Sequence, residues 1–390
     1  MTYFSDFHGL IENAEDDSTK RWLKSDPRNL LFAELYLAEV EARKGGKRKT
    51  FDTHIYEANI FENLIRLRDA LWGYEYKPCR GTAHVVFRPV QREIFAAPYV
   101  DRIVHHFVVN NLIDWWETRL HYDSCSCREG KGTLFGVRRL RDHMRSVSQN
   151  FAIPTDVIKM DISGYFMHIR RDVLFEKVMW GVDKIFVDKT DRRYKILRHA
   201  IREIIFDNPV AGVKIQGTYE DWRGLPEDKS LFCQPPGQGM VIGNLTSQFF
   251  SNIYLDSLDR FITQELGYKH YGRYVDDFYI VVPHSEKEKA LRDVAAIGTF
   301  LQGLGLTLNR KKTRVIPTWQ GVPFLGTVVK NNAILPGKRI VRNFNKAAIE
   351  FMNGENSLES VVSYLGLMYH YDDSLLVDKV FDRLGWERRK

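Results

Sequence analysis

The chain has 390 residues, 44% apolar and 27% charged, with a formal net charge of +7; this is ordinary globular composition, in two or three domain-sized pieces or one large fold with subdomains. The basic balance is compatible with a polyanionic partner, and with no apolar run near the roughly 18 residues of a membrane span, and no apolar signal region in the acidic start MTYFSDFHGLIENAEDD, the sequence predicts no signal peptide, no membrane association and a cytoplasmic location. Four cysteines, Cys79, Cys125, Cys127 and Cys233, do not form a disulfide framework, and Cys125-Ser-Cys127 lacks the second pair a zinc site needs.

Residues 1 to about 50 read as helical, ending in a Gly-Gly break and a basic cluster. ENLIRLRDALWGYEYKP is an amphipathic helix stopped by Gly73 and Pro78, and AHVVFRPVQREIFAAPYV is strand-rich. A long helix is expected from Asp101 through DRIVHHFVVNNLIDWWETRL. SCREGKGTLFGVRRLRDHMRSV, with six Lys/Arg against two acids, reads as a glycine-containing loop running into a helix. DVIKMDISGYFMHI is a strand entering a turn, followed by helix and a Gly/Pro-rich segment at about 207–240. GNLTSQFFSNIYLDSLDRFITQEL has helical spacing throughout, and YGRYVDDFYIVVP reads as a hairpin. A helix, the strands LTLNRKKTRVI and PFLGTVVK, and two further helical stretches complete the chain. Mixed order without regular βαβ alternation predicts an α+β architecture with an antiparallel sheet. No P-loop or strand-GxGxxG is present.

The chemistry lies in three carboxylates. Asp276 and Asp277 sit at a hairpin tip, where Asp is also common for purely local reasons. Asp161 closes an apolar strand, where an acid is costly unless paired, metal-bound or used as a helix cap. Brought together at one sheet edge, three acids repel one another without a cation. Mg²⁺ held by a few carboxylates and substrate phosphates is the arrangement of phosphoryl transfer.

In this order, DISGYF, GNLTSQFFSNIYL, YVDDF, LGLTLNRKKT and PFLGTVV resemble the palm of reverse transcriptases, over roughly Tyr76 to Lys330. The resemblance implies a right-hand polymerase fold, with fingers, an antiparallel palm sheet carrying the catalytic acids, and a short helical thumb. Its boundaries would be an N-terminal helical extension at 1–75, fingers at 76–160, palm at 161–334 with a fingers-associated insertion at about 180–240, and thumb at 335–390. It implies Asp161, Asp276 and Asp277 as catalytic, and Asp161, Ile162, Asp276 and Asp277 as the metal set for two Mg²⁺ ions, with Mn²⁺ an alternative. Phe166, five residues after Asp161, matches a ring that excludes ribonucleotides. With it, Ile242, Gly243, Gln248, Arg92, Arg102 and Lys312 are the expected dNTP contacts. Tyr274, Phe324, Leu325, Gly326, Arg128, Lys131, Arg138 and Arg139 are the expected primer and template contacts. Lys338, Arg339, Arg342, Lys346 and the terminal ERRK would clamp the heteroduplex. The arginines and lysines read equally well as salt-bridge or solvated-face residues.

One string departs from most of the family. Ile242-Gly243-Asn244-Leu245-Thr246-Ser247-Gln248 stands where QGxxxSP is usual, and Gln238-Gly239 upstream lacks the required spacing. Ile242 and Gln248 are similar to the reverse transcriptases of diversity-generating retroelements, within the group II intron-like bacterial lineage. Those enzymes copy a template-repeat RNA with errors at adenines, for mutagenic retrohoming, alongside a small basic accessory variability determinant protein. An isoleucine cannot make the polar contact of an amide, which weakens discrimination between right and wrong base. Two other readings stay open: a same-lineage enzyme in antiphage defence, and a catalytically silent RNA-binding protein. The tail after the palm is too short for an added nuclease domain.

Overall fold

The computed structural model describes residues 16–44, 50–87, 90–355, 358–372 and 374–385. The acidic start up to Glu15, the Gly-Gly break with most of its basic cluster, and the terminal ERRK lie outside them. Eleven strands run among the described residues: β1 (Thr82–Val86), β2 (Arg92–Ala96), β3 (Thr155–Ser163), β4 (Lys214–Ile215), β5 (Tyr271–Tyr274), β6 (Asp277–Pro283), β7 (Thr307–Leu308), β8 (Arg314–Pro317), β9 (Val322–Phe324), β10 (Thr327–Val329) and β11 (Ile334–Pro336). The chain forms two compact units that interleave in sequence. The first is Met1–Leu120, Gly164–Ser257 and Gln302–Leu306; the second is His121–Ser163, Leu258–Leu301 and Thr307–Lys390.

In the first unit, helix Pro27–Ala42 starts where Asp26 caps the backbone N–H of Arg28 and Pro27 fills a position that needs no donor. Helix Ile60–Trp72 stops at Gly73, as its sequence suggests. The next helix runs Tyr99–Asn110 and breaks before a short Ile113–Glu117 turn, so it starts two residues earlier than expected and is shorter. The shift of the start traces to Asp101. It is not a cap but a buried acceptor, taking Tyr76 Oη at 3.0 Å and the Cys79 N–H at 2.8 Å, and burial pushes its carboxyl up to about 7. The sheet order is β2-β1-β4; β1 and β2 are antiparallel, with Ala83 opposite Phe95, while the short β4 lies parallel to β1. Glu93 on β2 fastens the Gly/Pro-rich segment by accepting from Trp222 Nε1 (2.6 Å), Ser230 Oγ (2.8 Å) and the Leu231 N–H (2.7 Å).

The second unit is built on the sheet β5-β6-β3-β7, with β8 also pairing β3, and every pairing is antiparallel. β9, β10 and β11 form a second antiparallel sheet. Helix Thr133–Val147 packs Val137, Leu140 and Met144 with Val157, Tyr279, Val281 and Phe324 into one buried cluster. The described residues end in three helices, Lys338–Met352, Leu358–Met368 and Ser374–Leu384, around Phe344, Ala348, Val361 and Val380, where two were expected. The break between the last two follows from a long-range contact. Asp372 donates its N–H to the Ile334 carbonyl and accepts the Ile334 N–H, each at 2.9 Å or less, which turns the chain back to β11.

Candidate active site

β3 is a nine-residue strand buried almost throughout, and its period of two places Val157, Lys159 and Asp161 on one face. Asp161 therefore belongs to the strand; the residue that caps the following helical turn is Gly164. β5 and β6 join through Val275 and Asp276, with Tyr274 opposite Asp277, a two-residue hairpin loop. The β3–β6 register sets Asp161 opposite Asp277, and the Ile162 N–H donates to the Asp276 carbonyl at 3.1 Å. Residues more than a hundred positions apart thus meet at one sheet edge.

Each acid there has its own surroundings. Asp161 accepts from Lys312 Nζ at 2.8 Å and Asn309 Nδ2 at 3.2 Å, while its carbonyl accepts the Asn309 N–H at 2.8 Å. Asp277 Oδ2 lies 3.0 Å from Lys159 Nζ, and its Oδ1 is buried without a hydrogen-bond partner. Burial, and then the charge of Asp161, push Asp276 up to about 6. Burial also raises Asp277, against the pull of Lys159. The Lys312 ammonium is disfavoured by burial, but its bond to Asp161 and the charges of Asp276 and Asp277 outweigh this and hold its pKa above the ordinary value.

Two ammonium groups against three carboxylates leave the cluster short of positive charge, and the orphaned Asp277 Oδ1 lacks the donor or cation that a buried oxygen requires. These residues fit a divalent cation. Ile162 can contribute only its main chain, since its side chain is buried and apolar. Among the described residues no group of three or more His, Cys, Asp or Glu forms a ready-made metal cage. Where few carboxylates hold a metal, substrate phosphates complete the shell.

Phe166 and Ile242 come together in the first unit, packed against the cluster of Ala83, Phe95, Met167 and Leu231. The Met240 N–H donates to the Phe166 carbonyl at 2.8 Å, and the Phe95 N–H to the Ile242 carbonyl at 3.2 Å. Gly243 has φ +125, and a Cβ there would stand 3.1 Å from the Phe95 carbonyl oxygen, so only glycine fits comfortably. Gln248 is exposed on the first turn of helix Leu245–Arg260. Thr246 and His105 bond one another at 2.8 Å, buried, which makes Thr246 structural. Arg92 is exposed on β2, whereas Arg102 spends its Nε on the Ala97 carbonyl at 2.9 Å.

The expected primer and template residues divide in the same way. Phe324 is buried edge-on against Tyr279 with ring centroids 5.2 Å apart, and Leu325 and Gly326, at φ +48 and +84, make the β9–β10 turn. Tyr274 packs on the core of the second unit. Arg128 donates to the His121 and Ser124 carbonyls (2.7 and 3.0 Å), and Lys131 to the Tyr122 carbonyl (2.6 Å). Arg139 pairs with Asp123 at 2.5 Å, and Arg138 is exposed. Three of the four cations thus hold the loop 121–131 together. Sequence reasoning missed Lys159 and Asn309, the partners of Asp277 and Asp161. Lys159 was within reach, because it precedes Asp161 by two on a strand.

The family described as reverse transcriptase (RNA-dependent DNA polymerase) matches residues 91–329, a span that contains Asp161, Asp276 and Asp277. Among solved structures, the chain is similar to telomerase from Candida albicans in complex with the TWJ fragment of telomeric RNA. Identity is 14% and TM-score 0.49, over 85% of this chain and 60% of that one. Apo telomerase from Candida tropicalis aligns at 14% identity and TM-score 0.46, over 79% and 59%. The chain therefore spans about 60% of the length of the telomerase chains it matches. No curated protein sequence matches.

Proposed function

Because this chain belongs to the reverse transcriptase family, whose fold is the right-hand polymerase, we propose that it copies RNA into DNA, with Asp161, Asp276 and Asp277 at the reacting phosphate. Reverse transcriptases use divalent metal ions. Two Mg²⁺ ions held by these acids and the Ile162 carbonyl would activate the primer 3′-hydroxyl and steady the leaving pyrophosphate. Asp161 and Asp276 are the principal ligands and Asp277 supports them. Lys312, beside Asp161 and on the exposed side of the cluster, donates charge or a proton to the departing pyrophosphate. Phe166 and Ile242, on one apolar cluster of the first unit, are the residues we assign to the sugar and base of the incoming dNTP. The fingers then comprise 76–160, the palm 161–334 and the thumb 335–390, with Arg92, Arg102 and Arg138 directed to phosphates.

We propose further that this copying is error-prone, in a diversity-generating retroelement that uses a template-repeat RNA and a small basic accessory protein. The observation that carries it is Ile242, an apolar side chain in an apolar cluster where most of the family has an amide. Without a polar contact to report geometry, a mismatched base is rejected less strongly, by about 0.5–1.5 kcal/mol per lost hydrogen bond. Ile242→Gln should lower adenine-directed errors by up to about tenfold, measured by sequencing cDNA made on primed RNA. An unchanged adenine error spectrum contradicts this account. A near-repeat differing mainly at adenines in the flanking DNA separates this role from antiphage defence.

A further inference from the structure

The tip of the β5–β6 hairpin holds a β-branched residue, Val275, at φ +56. Left-handed backbone is uncommon for any side chain with a Cβ and rare for a branched one, and it persists only where surroundings enforce it. Both main-chain polar groups of Val275 are held by side chains. Its N–H donates to Ser126 Oγ at 3.2 Å, and its carbonyl accepts from Arg273 Nη1 at 3.1 Å. Ser126 and Arg273 are 1% and 0% exposed.

Arg273 is itself immobilised. Its Nε and Nη2 each lie 2.7 Å from an oxygen of Asp259, a fully buried acid that also accepts Tyr271 Oη at 2.6 Å. Nη2 reaches Ser124 Oγ at 3.0 Å. The main chain joins the same assembly: the Arg273 N–H donates to the Asp123 carbonyl at 2.9 Å, and the Cys125 N–H to the Arg273 carbonyl at 2.8 Å. The loop Asp123–Ser126 therefore runs beside β5 and ends on Val275, one residue before Asp276. A buried ion pair is a poor way to gain stability, since apolar residues of similar volume serve as well or better. What this pair supplies is a fixed N–H aimed at one carbonyl.

We propose that Ser126 and the Arg273–Asp259 pair are positioning residues for polymerisation, holding Val275 left-handed so that Asp276 faces Asp161. The inference rests on the reading of Asp276 as a metal ligand. The alternative is that they only stabilise the fold. The test is Mn²⁺ binding to the full-length protein, followed by electron paramagnetic resonance, with thermal melting and primed-RNA affinity measured alongside. Asp276→Asn should abolish the site. Ser126→Ala removes one acceptor without adding volume, and should weaken Mn²⁺ about three- to tenfold with primed-RNA affinity unchanged. In a V275G background, where the left-handed conformation carries no Cβ penalty, the same Ser126→Ala change should cost much less. Mn²⁺ affinity unaltered by Ser126→Ala, or weakened equally in both backgrounds, overturns the positioning role. Mn²⁺ binding that survives Asp276→Asn, or no binding by the wild type, overturns the ligand reading beneath it.

Discussion

Asp276 is a liability to the metal-free protein. Its carboxyl, raised from 3.8 to about 6 by burial and by Asp161, is neutral in the folded state at a pH where an unfolded aspartate is already ionised. The stability this group contributes is complete below about pH 4 and is lost as pH rises through 6. At pH 7.5 without metal, Asp276→Asn should therefore stabilise the fold, by at most about 3 kcal/mol, while eliminating activity. Denaturant melts from pH 4 to 8 check this: the variant's advantage should shrink as pH falls, and a constant difference contradicts the assigned cause. The acids themselves were legible, since each stands next to an apolar strand run. Their partners were legible only in part. Lys159 follows from the two-residue period of β3, but Asn309 reaches Asp161 by long-range packing that no local pattern records.

At the scale of elements, the hairpins were readable because their turn chemistry is local. The β9–β10 turn needs Leu325 and Gly326 at positive φ, and its neighbour Gly337 shows how tightly this hairpin meets the first C-terminal helix. The Gly337 N–H donates to the Gly326 carbonyl at 2.8 Å, and a Cβ on Gly337 would lie 2.4 Å from that oxygen. Gly337→Ala should cost about 1–3 kcal/mol, because neither partner is a flexible side chain that can yield. Gly366, in helix Leu358–Met368 with nothing within 4 Å, is the contrast: its change to alanine should stabilise by about 0.5–1 kcal/mol. Equal effects at the two sites in chemical denaturation contradict the close-approach argument. The third C-terminal helix escaped sequence reasoning for a related reason. Its separation from the second depends on the Ile334–Asp372 contact rather than on a glycine or proline.

For the molecule as a whole, five short motifs in order were enough to place the fold: four mark a strand end or turn, and the fifth, GNLTSQFFSNIYL, opens helix Leu245–Arg260. The compact units were less accessible. They interleave, with the chain crossing between them at 120, 163, 257, 301 and 306, whereas a division into fingers, palm and thumb follows the sequence almost linearly. Net charge was informative only broadly. A balance of +7 fits a nucleic-acid partner, yet Arg128, Lys131 and, from the helix that follows, Arg139 are spent on the loop 121–131. On the proposed reading, Asp161, Asp276 and Asp277 form the catalytic centre of an RNA-directed DNA polymerase. The most direct test of this reading is dNTP incorporation on primed RNA with Mg²⁺, comparing the wild type with a D276N/D277N double variant while measuring RNA affinity for both. The account predicts extension by the wild type, a loss of at least about a thousandfold in the variant, and RNA binding retained by both. Wild-type protein that extends no primer, or a double variant that extends normally, would contradict it.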